Sequence, residues 1–206
     1  MTPRKLLTAA APLLLAGLLG AAAPGLVRAA QGWKPWQFGT NEHYEFTIHD
    51  HTNPEAKPVG VVLDLRPAGA SEGGEELVTV SYTTATDVPA SELGPQTAFG
   101  GAAGMGMGLG LMLINPMIVA FMDQVTLEVG EKMALFGAGR IEVTAREEIA
   151  GVEGFVCRYL GPKEQGEPLL GEWVVHPDVA IPLRSVTYDA QGKKAQEIVM
   201  TRFQKR

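Results

Sequence analysis

The chain has 206 residues, of which 46% are hydrophobic and 19% are charged, a balance typical of a globular protein with a sizeable core. It contains 17 Lys and Arg residues against 23 Asp and Glu residues, which gives a formal net charge of −6 at pH 7. An acidic surface repels phosphate backbones, so we expect no nucleic-acid partner.

The first thirty residues, MTPRKLLTAAAPLLLAGLLGAAAPGLVRAA, have the pattern of a secretory signal peptide. Arg4 and Lys5 precede the apolar stretch, and Val27 and Ala29 occupy the positions that matter before a cleavage site. We therefore predict cleavage after Ala29 and a periplasmic mature protein. In the alternative interpretation, residues 6–27 persist as a membrane anchor.

Cleavage leaves residues 30–206, which we predict to form one exported domain. Residues 1–29 contain three of the basic residues and no acidic ones, so 14 basic residues remain against 23 acidic ones, a net charge of −9. Cys157 is the single cysteine, so no intramolecular disulfide can form in an oxidising compartment. Its place among alternating apolar residues in GFVCRYLG predicts a buried side chain.

Polar and apolar residues alternate through most of the mature chain, which predicts strands with one buried face. The alternating segments of the first half are HYEFTIHDH, VGVVLDLRP and ELVTVSYTT. Those of the second half are RIEVTAREEI, GFVCRYLG, EWVVHP, IPLRSVTYD and KAQEIVMTRFQ. Short turns between several of them favour antiparallel neighbours. We predict a mainly β fold, a curved antiparallel sheet of seven or eight strands that forms a half-barrel-like meander with an inserted apolar helical segment.

The apolar positions of these strands are candidates for the wall of a binding cavity. They share one face of each predicted strand and include six of the 14 aromatic residues. The candidate ligand-binding residues of the wall are Tyr44, Phe46, Val61, Leu63, Val80, Tyr82, Phe155, Tyr159 and Trp173.

The predicted strands are interrupted by an apolar insertion at residues 98–124. Its first half is rich in Gly, which is unfavourable within a helix, whereas Asn115 and Pro116 suit the start of one. We predict a flexible arm followed by a short buried helix. Unbranched Met side chains adapt to irregular partners, which predicts a lid over an apolar ligand. The lid residues are Met105, Met107, Met112, Met117 and Phe121. A helix that fills the mouth of the sheet with nothing bound is an equally good interpretation.

The same insertion also supports a membrane interpretation. The 30 residues from Leu93 to Met122 are uncharged, and Gly100, Gly104 and Gly108 have the spacing of close helix packing in bilayers. Acidic residues flank both sides, however, so no Lys or Arg asymmetry sets an orientation. A crossing would also divide one predicted sheet between two sides of the membrane. The alternative is a membrane-associated structural subunit in which residues 98–122 insert in the bilayer or dock on an integral partner.

Chemistry-bearing motifs are sparse in this sequence. His43, His49 and His51 lie on one predicted strand face, which raises a third hypothesis of a copper or zinc site. The sequence has no GxSxG elbow, HExxH helix, phosphate loop or dinucleotide glycine pattern. We therefore expect no catalytic residues, no enzyme activity, no bound metal and no cofactor.

The closing run GEWVVHPDVAIPLRSVTYDAQGKKAQEIVMTRF adds a family resemblance. This run resembles the periplasmic lipoprotein-carrier group of LolA-like proteins. The resemblance rests on Trp173, the run of Ile181, Pro182 and Leu183, then Gly192 and a final alternating strand. The resemblance implies a half-barrel of antiparallel strands that is closed by helices and holds acyl chains. We therefore predict a periplasmic protein that binds an apolar small molecule or lipid.

Overall fold

The computed structural model describes residues 32–35, 37–85, 87 and 121–206. The predicted signal peptide and most of the predicted insertion lie outside these residues. The cleavage site, the Gly-rich arm and the helix that begins at Pro116 therefore remain predictions. Within the described residues the named elements are nine strands and one 3₁₀ helix, Lys163–Gln165.

The strands form one antiparallel sheet, as the alternation predicts. They are β1 Glu42–Asp50, β2 Val59–Ala70, β3 Glu76–Ala85, β4 Lys132–Leu135, β5 Gly139–Ile149, β6 Val152–Leu160, β7 Leu169–Val175, β8 Arg184–Tyr188 and β9 Lys194–Lys205. Their order across the sheet is β3-β2-β1-β9-β8-β7-β6-β5-β4. Two meanders, β1 to β3 and β4 to β9, are therefore joined by the pairing of the first strand with the last.

The strand count exceeds the prediction of seven or eight. The additional strand is β4, whose four residues are too short for a recognisable alternation. One strand is shorter than the sequence predicts. The predicted strand includes Ile181, Pro182 and Leu183, but β8 begins only at Arg184. These three residues instead lie buried in the preceding loop.

The register places the predicted apolar residues on one side of the sheet, which we call the core face. Tyr44 lies opposite Leu63, and Phe46 opposite Val61. The same face continues through Ile198 on β9 to Trp173 on β7. Register shifts within five of the strand pairs mark bulges, which increase local twist.

Two hydrophobic clusters fill most of the core face. The first joins β1, β2 and β9 to the loop before β8, and its buried residues include Tyr44, Phe46, Val61, Ile181, Leu183 and Met200. The second joins β5, β6 and β7 to two segments outside the strands, and its buried residues include Trp33, Met122, Val125, Ile141, Cys157, Trp173 and Val175. Loops thus supply the second layer that an antiparallel sheet needs to bury its apolar face.

Cys157 confirms the prediction of a buried thiol. Its side chain is fully buried in the second cluster, and this burial raises the pKa of the thiol to about 12. A protonated thiol without solvent access is a poor nucleophile. Cys157 is therefore a packing residue of the core.

Candidate binding surface

The predicted wall residues do not surround a single cavity. Tyr44, Phe46 and Val61 are buried in the first cluster, where the chain's own side chains pack against them, and Leu63 lies partly buried beside them. Trp173 is buried in the second cluster, with Phe121, Phe155 and Tyr159 at its margin. Val80 and Tyr82 lie in neither cluster and are exposed. Met105, Met107, Met112 and Met117 lie outside the described residues.

The exposed members lie together on the core face of β3. The register sets Val80 opposite Leu65 and Tyr82 opposite Leu63, so all four share the face that is buried elsewhere in the sheet. Nevertheless, Val80 is 63% exposed and Tyr82 is 43% exposed. Val78, one residue pair further along, is partly buried against the first cluster. We call Val78, Val80 and Tyr82, together with Leu63, the β3 face.

The free edge of β3 adjoins this surface. β3 is the last strand of the sheet on its side, and it pairs only with β2 among the described residues. Its residues from Leu77 to Ala85 read LVTVSYTTA, with no charge, proline or glycine. Natural edge strands usually contain charged residues or proline, or are short, and these features prevent pairing with another chain. The β3 edge from Leu77 to Ala85 has none of these features.

Acidic residues flank both ends of the β3 edge. Glu75 and Glu76 lie at its start, and Asp87 follows its end. All three are exposed and make no ion pair with another described residue. Arg66 lies opposite Thr79, but its guanidinium already lies 3.4 Å from the Asp64 carboxylate. The electrostatic character of this edge is therefore negative.

At the far end of the sheet, the core face is covered by segments that precede β1 and β4. The Trp33 indole Nε1 donates a hydrogen bond of 2.8 Å to the Val179 carbonyl, and the ring is 2% exposed. Gly32 lies so close to the Asp123 carbonyl that any side chain at residue 32 would overlap it. Met122, the second described residue of the insertion, is fully buried there. The described end of the insertion therefore packs against β5, β6 and β7.

The three histidines of the metal hypothesis lie on the outer face, opposite the core face. The His43 Nδ1 lies 2.9 Å from the Asp64 carboxylate and its Nε2 lies 2.8 Å from Glu45. Hydrogen bonding to His43 is the main cause that holds the pKa of both carboxyl groups below the usual range. His49 and His51 stack at 6.1 Å between ring centroids, and His51 is bonded to Glu197. Among the described residues, no group of three or more His, Cys, Asp or Glu side chains is placed to hold a metal ion.

A second ionic network spans the outer face of β5, β6, β7 and β8. The buried Glu172 carboxylate receives hydrogen bonds of 2.8 Å from Arg158 and 2.7 Å from Arg184, and Arg184 also donates to Glu147 at 2.6 Å. The Arg184 Nε is buried without a partner. Sequence reasoning missed this network because its members lie up to 37 residues apart in the chain. The arrangement binds strands together and holds no reactive group next to an open cavity.

Two pockets that are lined by described residues lie away from the predicted wall. One, of about 350 Å³, lies between the turn after β4 and residues 161–167, and its lining includes the exposed Phe136, the buried Leu135 and the paired Arg140 and Glu167. A second, of about 370 Å³, is lined by Gly32, Lys34, Pro35, Gln37 and Asp123. In the part of the chain that the structure describes, no helix has the length and apolar character needed to cross a membrane.

Comparison with known proteins gives a likeness at the level of solved structures alone. No protein-family model matches the chain, and neither does any curated protein sequence. The Pseudomonas aeruginosa MucA/MucB complex aligns with 80% of this chain and 51% of that chain, at 11% identity and a TM-score of 0.39. The structure of MucB in complex with MucA(peri) aligns with 81% of this chain and 50% of that chain, at 12% identity and a TM-score of 0.40. The structure of MucB alone aligns with 84% of this chain and 55% of that chain, at 11% identity and a TM-score of 0.42. The chain thus spans about half the length of these structures.

Proposed function

We propose that this chain is an exported binding protein that holds an apolar molecule, such as a lipid or an acyl chain, against the β3 face. The observation on which the proposal rests is the exposure of Val80 and Tyr82, at 63% and 43%, on the face that is buried in the rest of the sheet. Removal of apolar surface from water is worth about 25 cal/mol per Å², so a ligand that covers these side chains gains binding free energy from each. Exposed apolar patches on soluble proteins commonly mark binding sites.

The predicted lid fits this placement through chain connectivity. The insertion at residues 98–124 follows β3, which ends at Ala85, and its described part begins at Phe121. Met122, the next residue, is fixed in the second cluster on the same core face. A segment tethered in this way has its two ends at opposite sides of the core face. We propose that Met105, Met107, Met112 and Met117 close over the ligand.

The filled clusters restrict where the ligand lies. Tyr44, Phe46, Val61 and Trp173 are packed against the chain's own side chains, so a ligand reaches them only if those side chains move. Displacement of close-packed core residues costs stability, whereas the β3 face is accessible without it. We therefore place the ligand on Leu63, Val78, Val80 and Tyr82 and interpret the clustered aromatic residues as its supporting layer.

Export to the periplasm and the lack of enzyme activity form part of the same proposal. Export is supported by the leader-like pattern before Ala29 and by a single cysteine that is buried and protonated. A binding role is supported because polar groups on the described surface pair with one another, as in the His43 and Glu172 networks. No cofactor is needed for such a role.

Native mass spectrometry of the mature protein, purified without detergent, tests the proposal. We expect an excess mass that separates as lipid on denaturation. Val80→Asp should remove this mass, whereas Val129→Asp should retain it, because Val129 is 50% exposed but lies outside the β3 face. Replacement of Met107, Met112 and Met117 by Asp tests the lid, and should lower the bound fraction with the β3 face intact.

The outcomes separate the alternatives. A ligand-free mass for the wild-type protein in the soluble fraction would contradict lipid binding. Recovery of the protein only in the membrane fraction, resistant to high salt, would instead favour the membrane-associated subunit in which residues 98–122 insert or dock. Equal loss of the bound lipid mass in Val80→Asp and in Val129→Asp would show that the β3 face has no special role in binding.

A further inference from the structure

We propose that the exposed edge of β3 is a docking site for an extended segment of a partner protein, which pairs with β3 as a tenth strand. The partner segment is uncharged over about nine residues, with apolar side chains at alternate positions, and has Lys or Arg at its ends. This inference concerns the backbone edge and the outer side of β3. It stands apart from the proposed lipid site on the β3 face.

The first argument is the open row of backbone groups. An edge strand presents unpaired N–H and C=O groups along its free side, and an added strand satisfies them with main-chain hydrogen bonds. β3 is ten residues long, twice the usual length of a strand, and is exposed along nearly all of it. An added strand therefore finds a long continuous ladder here.

The second argument is the contrast with the other edge of the sheet. β4 has only four residues and begins with Lys132. Gly137 in the turn after it and Gly139 at the start of β5 both have positive φ. Short length, a lysine and a twisted backbone are the usual means of blocking an edge. Among the described residues, the fold protects one edge in this way, whereas the other edge is long, is richer in β-branched residues and has a charge only at its start, Glu76.

The third argument is charge, and it identifies the class of partner. In an antiparallel pair of two β3 strands, Glu75 and Glu76 of one copy would lie near Asp87 of the other. Like charges opposite one another destabilise a strand pair, so a second copy of this chain is disfavoured. A strand with Lys or Arg at both ends complements the same acidic residues. The mature chain's predicted net charge of −9 further favours a basic partner.

A synthetic peptide with alternating Thr and Val over nine residues and two lysines at each end is the probe. It is titrated into the mature protein at low salt by isothermal titration calorimetry. We expect binding, and at least tenfold weaker binding for a peptide with the same side chains whose alternate amides on one edge are N-methylated. A peptide flanked by glutamates should also bind at least tenfold more weakly.

Protein variants locate the site. The double variant Thr79→Lys/Thr83→Lys places positive charge on exposed positions of β3 that point to the outer face, and should weaken binding of the lysine-flanked peptide at least tenfold. Thr201→Lys is the matched control, an exposed threonine on the central strand β9, and should bind as the wild type does. Thermal unfolding confirms that each variant is folded, and the N-methylated peptide tests the edge on unmodified protein.

Three results would overturn the inference. These are no binding of the lysine-flanked peptide, equal binding of the N-methylated peptide, and a stable dimer of the wild-type protein that the double variant dissolves. The lipid site is judged separately, because Thr79 and Thr83 point away from Val80 and Tyr82. The double variant should retain any lipid mass seen for the wild-type protein, whereas Val80→Asp should lose it.

Discussion

At the β4 end of the sheet, Trp33, Met122 and Val125 cover the core face from outside the strands, and the strand residues beneath them are buried. At the β3 end, Val80 and Tyr82 lie on the continuation of the same face and are exposed. Both ends contain strands with the same alternation of polar and apolar residues. The difference is therefore one of coverage: other segments bury the core face of β5 to β7, whereas its continuation on β3 is exposed.

The largest loss of stability should come from a substitution in the segments that cover the core face at the β4 end. Trp33→Ala removes a buried ring and its hydrogen bond to Val179, and should lower the free energy of unfolding by about 3–5 kcal/mol. Tyr82→Ala, at the uncovered end, should cost less than about 1 kcal/mol because its side chain is already 43% exposed. Urea unfolding of both variants measures the difference. Equal losses would mean that the two ends are equally covered.

The ion pairs at the β4 end of the sheet should show the same contrast between buried and exposed positions. Glu172→Gln leaves Arg158 and Arg184 without their shared carboxylate in a buried position, and should cost about 1–3 kcal/mol. Glu153→Gln is the control, since it breaks an exposed pair with Arg146 and should cost less than about 0.5 kcal/mol. A similar cost for both would show that burial of Glu172 contributes little.

The pH dependence of stability below neutrality should depend on His43, which lies on the outer face at the β1 and β2 end of the sheet. The folded-state pKa of Asp64 and of Glu45 is lowered, so their contribution to stability is present above the unfolded pKa of about 4 and is lost as pH falls through the folded value. His43→Ala removes the main cause of both shifts. We expect lower stability at neutral pH and a shallower loss of stability below about pH 4.

His49→Ala provides the control for this pH dependence. His49 lies on the same strand and face as His43, but its ring stacks on His51 and makes no bond to Asp64 or Glu45. Urea unfolding from pH 2.5 to pH 7, roughly the range of carboxyl titration, compares the three proteins. A pH dependence of His43→Ala that follows the wild type would contradict the assigned role of the imidazole.

Substitutions of the exposed residues of the β3 face should have the smallest effect on stability and the largest effect on the binding of apolar molecules to the surface. Val80→Ser and Tyr82→Ser should each change the free energy of unfolding by about 0.5 kcal/mol or less, because neither side chain is in a cluster. Each should reduce the fluorescence of an apolar dye, anilinonaphthalene sulfonate, bound to the folded protein. Wild-type protein that binds no dye would show that the β3 face is covered in solution.

Much of the strand arrangement follows from the sequence alone. The alternation in HYEFTIHDH and VGVVLDLRP predicts two strands whose apolar faces coincide, and the register of Tyr44 with Leu63 agrees with this. The burial of Cys157 is likewise a local consequence of its apolar neighbours. The four residues of β4 are too few for a pattern, and the partners of Glu172 depend on strand pairing between distant parts of the chain. These features therefore required the structure.

Val61 and Val80 show where the sequence ceases to determine the outcome. Both are apolar residues at alternating positions of strands, and both were predicted as wall residues, yet Val61 is 1% exposed and Val80 is 63% exposed. Alternation determines which face of a strand is apolar because each side chain points to the side opposite its neighbours. Tertiary structure alone decides whether another segment covers that face, because the covering residues, such as Ile181 and Leu183, come from distant loops.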